Sequence, residues 1–257
     1  MSLIQMSFFS EALNRMTSAN IILPTPRRAS APLRDVPVLY LLHGMGDDHT
    51  AWLRKTGVER YALDAGLAVI MPDGGLSCYE NMAHGERFRD HMENELPALM
   101  RACFPISDAR EKSFIAGCSM GGHGALKMAL RHPERYCAVG CFSGAHLEYR
   151  PDARTNREML ARVYDDGLEA ADARVIADAR RVRDGACPLL IYHSCGDDDL
   201  LLESALQTRS FFGALSGGAI DYRFELLPGR HDGRQWDAAL EKFIAALDLP
   251  APAERCM

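Results

Sequence analysis

Ser113-Phe114-Ile115-Ala116-Gly117-Cys118-Ser119-Met120-Gly121-Gly122-His123-Gly124-Ala125-Leu126 joins three local patterns: an apolar strand-like run, a Gly-x-Ser-x-Gly turn, and a helix-like run that continues to Leu130. A serine at such a strand-to-helix hinge reads as a nucleophile elbow. The small residues serve a mechanical need, because side chains at the flanking glycines would collide with neighbouring backbone in so sharp a turn. The serine Oγ is pushed out of the sheet. The helix behind it aims unpaired N–H groups and partial positive charge at the place where an oxyanion would form.

Outward from the elbow, strand-like runs fall at 7–10, 17–23, 36–42, 67–71, 113–116, 136–142, 189–194 and 220–227. Helical patterns, with apolar residues three and four apart, fill 51–65, 91–103, 122–131, 201–215 and 235–247. Alternation of this kind predicts a mostly parallel eight-stranded sheet with helices on both faces. No helix separates the first two strands, so they are expected as an antiparallel hairpin at one edge. One domain over 1–257 accommodates the whole pattern, without repeats or an interdomain linker.

The stretch 144–186, after the sixth strand, breaks the rhythm. Between Glu148 and Asp184 it holds nine acidic residues and eight arginines, a near-balance that argues against an anion-binding patch. It reads as a helical insertion, either solvent-facing helices laced with weak ion pairs or a partial lid over the site.

Serine is a poor nucleophile at neutral pH and needs a general base, normally a histidine oriented by a carboxylate. In chain order the acid follows the elbow and the histidine comes last. The run 189–194 ends in Cys195-Gly196-Asp197-Asp198-Asp199-Leu200, and position alone does not choose among the three aspartates. Of nine histidines only His231 lies beyond them, in the loop Pro228-Gly229-Arg230-His231-Asp232-Gly233 ahead of the final helix. His43 and His123 are placed to shape the site. An oxyanion hole would take one N–H from Met120, after the serine, and one from Met45 in Leu42-His43-Gly44-Met45-Gly46, where glycines let the backbone turn.

Composition narrows the remaining classes. The formal charge of −6, from 29 basic and 35 acidic residues without a long run of one sign, argues against nucleic acid or an anionic membrane as partner and for a small neutral or weakly charged substrate. No apolar run reaches membrane-spanning length and the start shows no basic, then apolar, leader, so a cytoplasmic protein is expected. The eight cysteines lack C-x-x-C spacing and read as reduced thiols. Cys118 should point inward as packing. Asp47-Asp48-His49 and the group His84, Glu86, His91 lack a recognised zinc spacing, and no nucleotide-binding loop occurs, so neither metal nor cofactor is expected. Oligomeric state, including a homo-oligomer, is left open by the sequence.

With these residues in view, the chain resembles the putative-esterase branch of the α/β-hydrolases, and within it the tributyrin-esterase-like short-chain carboxylesterases. The likeness runs through Phe8-Phe9-Ser10-Glu11, Val38-Leu39-Tyr40-Leu41-Leu42-His43-Gly44-Met45, Trp52, Phe104-Pro105-Ile106-Ser107-Asp108, the elbow, Cys195-Gly196, and His231 with Trp236. The resemblance implies an α/β-hydrolase fold, and a triad of Ser119, Asp199 and His231, because the family's acid is the third residue after the glycine of its Cys-Gly-x-x-Asp pattern. It implies further that Trp52 and Tyr79 lie near the substrate and that 144–186 helps to form the pocket. The chain departs from the family in Cys118 and in Arg230-His231-Asp232-Gly233. S-formylglutathione hydrolases share the stretch from Ser119 to Leu126 but have a different oxyanion segment, and make the alternative reading. An acyltransferase and a non-catalytic binding module fit less well.

Overall fold

The computed structural model describes residues 1–25, 32–144 and 154–249, with the backbone alone at 154–156. Among the described residues eight strands form one sheet: β1 (Ser2–Ser10), β2 (Arg15–Leu23), β3 (Val38–Leu42), β4 (Ala68–Pro72), β5 (Ser113–Cys118), β6 (Ala138–Phe142), β7 (Leu189–Gly196) and β8 (Ile220–Leu227), in the order β1-β2-β4-β3-β5-β6-β7-β8. The expected hairpin is present: β1 pairs antiparallel with β2, which also runs antiparallel to β4, and the pairs from β4 to β8 are parallel.

Burial follows position in the sheet. Every residue of β3, β4, β5 and β6 is buried, as strands covered on both faces require, which is why they read as unbroken apolar runs. The edge strand β1 alternates, with Leu3 and Phe9 outward. One core cluster holds Ile21, Val38, Tyr40, Ile70, Ile115 and Val139, and a second holds Ile22, Leu39, Leu41, Phe114, Phe142 and Phe243. Successive strand residues alternate between the two clusters, so the clusters occupy opposite faces of the sheet.

The helices are α1 (Ala51–Lys55), α2 (Val58–Ala65), α3 (Phe88–Asp90), α4 (Leu96–Cys103), α5 (Met120–Arg131), α6 (Arg154–Val163), α7 (Gly167–Arg183), α8 (Leu202–Leu215) and α9 (Gly233–Ala245). Two expected helices are interrupted. The pattern over 51–65 breaks at Thr56, which is extended while its hydroxyl donates to the Trp52 carbonyl at 2.6 Å. The segment 91–103 begins as a π-helical turn, His91–Glu95, in which His91 Nδ1 meets Glu95 Oε2 at 2.7 Å and Ser10 Oγ at 3.0 Å. This cluster clasps the end of β1.

Part of the expected insertion, 145–153, lies outside the described residues. The rest is more than a solvated charged face. Ala171, Val175, Ala179 and Val182 form a buried stripe along α7, and Leu160, Val163 and Tyr164 join the same core cluster. The charges occupy the other side, as in the Arg174–Asp166 and Arg181–Asp178 pairs. No helix among the described residues is long and apolar enough to cross a membrane.

Candidate active site

The elbow sits between β5 and α5. Ser119 has φ 52° and ψ −120°, a region that non-glycine residues avoid and that persists only where the surroundings enforce it. They do so here: the Ser119 N–H donates to the Phe142 carbonyl at 2.8 Å, and the Ser119 carbonyl accepts from the His123 N–H at 3.1 Å. The flanking glycines are sterically required. A Cβ on Gly117 would stand 2.5 Å from the Gly121 carbonyl carbon, and one on Gly121 would stand 2.3 Å from the Leu42 oxygen.

The protruding Ser119 Oγ lies 3.0 Å from His231 Nε2, and His231 Nδ1 lies 3.0 and 3.2 Å from the two Asp199 oxygens. Burial alone would push the Asp199 carboxyl up, but hydrogen bonds from His231, the Leu201 N–H at 2.8 Å and Ser143 outweigh it and hold the group below the usual aspartate range. An ionised carboxylate only accepts, so the Nδ1 hydrogen faces Asp199 and Nε2 is left to accept the serine proton. Asp197 and Asp198 do other work. Asp197 accepts from the Gly229 N–H at 2.9 Å and Asp198 pairs with Arg230 at 2.7 Å, both bracing the loop that carries His231. Trp236 meets the imidazole edge-on at 5.2 Å between ring centroids.

Ser119 and His231 open onto a cavity of about 240 Å³ whose wall includes Met45, Met120, Cys78, His123, Leu160 and Tyr164. Met45 and Met120, the two residues from which oxyanion donors were expected, both line this cavity. The loop that carries Met45 is fixed through its neighbour: His43 Nε2 accepts the Gly74 N–H at 2.8 Å, while its Nδ1 faces the Gly44 carbonyl at 2.8 Å. The lining also includes Leu200, which is 75% exposed, and Asp172, which is half-buried.

Two expected substrate residues are corrected. Trp52 is not among the residues that line the cavity; its Nε1–H donates to the Leu42 carbonyl at the end of β3 at 3.1 Å and its ring packs edge-on against Phe142. Tyr79 is wholly buried, and its hydroxyl donates to the His43 carbonyl at 2.8 Å. Both brace the site from behind. Leu160, Tyr164, Leu168 and Asp172, from the inserted helices, supply lining that the sequence reading did not name. The signal was the apolar stripe within a charge-rich segment.

The remaining candidates resolve into structural roles. Burial pushes the Cys118 thiol up to about 12, which suits packing rather than nucleophilic attack. Asp47 pairs with Lys55 at 2.6 Å, Asp48 takes the Thr50 N–H at 2.8 Å, Glu86 pairs with Arg15 at 2.5 Å, and His91 is held by Glu95. Among the described residues no three His, Cys, Asp or Glu side chains converge as metal ligands would.

The family model described as Putative esterase matches residues 10–247. An acetyl esterase of Caldicellulosiruptor saccharolyticus is 30% identical over 264 residues, spanning 95% of this chain and 96% of that protein. Among solved structures, substrate-bound FphF, a fluorophosphonate-binding serine hydrolase of Staphylococcus aureus, superposes with a TM-score of 0.82 at 28% identity, covering 96% of this chain and 98% of that one. The S-formylglutathione hydrolase FrmB of the same organism superposes with a TM-score of 0.79 at 28% identity, with the same coverage. The sheet order, the antiparallel edge and these likenesses make the fold that of the α/β-hydrolases.

Proposed function

We propose, from the premise that this chain belongs to the putative esterase family and is a serine carboxylic ester hydrolase, that it cleaves short-chain acyl esters with Ser119 as nucleophile, His231 as base and Asp199 as orienting carboxylate. The observation that carries this reading is the continuous path from Asp199 through His231 to Ser119 Oγ at the wall of a small, mainly apolar cavity. Ser119 Oγ attacks the ester carbonyl as its proton passes to His231 Nε2, and the carbonyl electron pair moves onto the oxygen. The Met45 and Met120 N–H groups receive that oxyanion; a donor of this kind typically contributes about 2.7–4 kcal/mol to the barrier. Collapse expels the alcohol, which takes the proton from His231 and leaves an acyl-serine. Water then gives a proton to His231 and attacks the acyl carbonyl; the bond to Ser119 Oγ breaks, the serine takes the proton back from His231, and the carboxylic acid is released.

The alternative, S-formylglutathione hydrolysis, is favoured by the likeness to FrmB. The cavity chemistry leans the other way. Among the described residues the lining includes no lysine or arginine and one carboxylate, Asp172, a poor match for the carboxylates of glutathione. The buried thiols Cys78, Cys118, Cys141 and Cys195 suit a cytoplasmic setting.

A panel of p-nitrophenyl esters from acetyl to long-chain, run beside S-formylglutathione and a feruloyl ester, tests the reading. kcat/KM should peak near butyrate, since each methylene contributes about 0.8 kcal/mol only while it can be buried. A maximum at long chains, or faster turnover of S-formylglutathione than of every oxygen ester, would overturn it.

A further inference from the structure

Lys127 has no part in the chemistry above, yet it lies on the helix that Ser119 starts and is only 4% exposed. Its Nζ donates to the Cys78 carbonyl at 2.9 Å and the Tyr164 hydroxyl at 2.9 Å, and pairs with Glu80 Oε1 at 2.7 Å. An ammonium has three N–H donors, and these are three acceptors. The Tyr164 ring centroid is also 5.4 Å from the cation. Glu80 is bound in addition by Arg131, from the last turn of the same helix, and Arg131 reaches Glu93 at 2.9 Å.

The partners come from segments that separately build the cavity. Cys78 belongs to the turn after β4, and Tyr164 follows α6; both line the space in front of Ser119. Backbone bonds hold each segment locally, from the Glu80 N–H to the Ser77 carbonyl at 3.0 Å and from the Tyr164 N–H to the Leu160 carbonyl at 2.8 Å, but neither of these bonds reaches α5. Cys78 and Tyr79 have φ values of 50° and 58°, a conformation that endures only when outside bonds impose it. Stability alone does not explain a charge in this position, because apolar residues of similar volume often serve as well as a buried ion pair. What the ammonium supplies is geometry, a single point fixed to the nucleophile helix from which two wall segments are positioned.

We propose that Lys127 is a positioning residue that holds Cys78 and Tyr164 in register with Ser119 and thereby sets the length of acyl chain the cavity accepts. The proposal rests on the reading of Ser119 as nucleophile. In its absence Tyr164 would be released from α5, and the cavity would lengthen toward the inserted helices.

The test compares Lys127→Met and Tyr164→Phe with the wild type in the ratio of kcat/KM for hexanoyl to acetyl p-nitrophenyl ester, in which any loss of active enzyme cancels. Tyr164→Phe keeps the ring and deletes only the hydroxyl, so it decides the matter if Lys127→Met does not fold. The ratio should rise at least about five-fold in each variant, through a lower KM for the longer ester relative to acetyl. A ratio that rises by less than about five-fold, or falls, in the folded variants overturns the proposal. Phosphonate uptake by the wild-type enzyme checks the underlying reading separately: full uptake with an unmoved ratio defeats the clamp alone, whereas no uptake at Ser119 defeats both.

Discussion

Gly121 lies so close to Leu42 that a Cβ at the glycine would stand 2.3 Å from the leucine carbonyl oxygen. The same oxygen accepts the Trp52 indole N–H at 3.1 Å, so it is held from the other side and has little room to yield. This approach sets the first turn of α5 against the end of β3. It thereby fixes the spacing between Ser119 and the loop that carries Met45.

Gly121→Ala should therefore damage both stability and rate. Overpacking against a fixed carbonyl costs about 1–3 kcal/mol, and a shift of about 1 Å between nucleophile and oxyanion donors costs on the order of 100-fold in rate. Denaturant unfolding and kcat/KM per titrated active site measure the two losses. A variant as stable and active as wild type would show that the turn does not depend on this approach.

Asparagine substitutions should separate the three aspartates after β7. Asp199→Asn removes the acceptor for the Nδ1 hydrogen of His231 and should lower kcat by roughly 10⁴. Asp197→Asn weakens one bond to the Gly229 N–H and should cost about 1 kcal/mol of stability. Asp198→Asn loses an exposed pair with Arg230, which contributes about 0–1 kcal/mol. Equal, mild losses of kcat in all three would contradict the assignment.

Much of this was legible in local sequence. The elbow announced itself because a strained serine needs glycines at fixed offsets, and chain order then left only His231 as the last partner. The central strands were legible as apolar runs. Choosing among Asp197, Asp198 and Asp199 from the residues alone was not possible, because what distinguishes them is burial and direction at the end of β7. Trp52 and Tyr79 misled for a related reason: large aromatics near a site by sequence can brace it from behind, as their bonds to Leu42 and His43 do. The lining from Leu160, Tyr164 and Leu168 was hidden by the charges of α6 and α7. Only the packing of α7 against α5, and of α6 against α7, reveals which side of those helices faces inward.

Acid should test the buried ion cluster under the cavity. Burial opposes ionisation of Glu80, but Lys127 and Arg131 outweigh it and bring the carboxyl from an ordinary 4.5 to about 2. A carboxylate depressed by folding stabilises the native state above its unfolded value and loses that contribution as pH falls through the folded one. Linkage puts the contribution at about 3 kcal/mol, lost between roughly pH 4.5 and 2. Glu80→Gln should be less stable than wild type at pH 7 and show a flatter decline over that window. An unchanged slope would remove Glu80 from the account.

Charge in the cavity lining should govern which leaving groups are accepted. Neutralising Asp172 with Asp172→Asn should raise kcat/KM for S-formylglutathione relative to p-nitrophenyl acetate by about five-fold, corresponding to about 1 kcal/mol of repulsion at the solvent boundary. A ratio that does not move would show that Asp172 does not face the leaving group.

The central claim, covalent catalysis at Ser119 with His231 as base, is tested most directly by mass spectrometry of the enzyme after reaction with a fluorophosphonate. Wild-type protein should take up one equivalent, located on Ser119, and lose ester hydrolysis in proportion. Ser119→Ala should remain folded, take up none, and retain only the small rate that binding and the oxyanion donors support. Label on Cys118 or elsewhere, or hydrolysis that survives full occupancy of Ser119, would contradict the account.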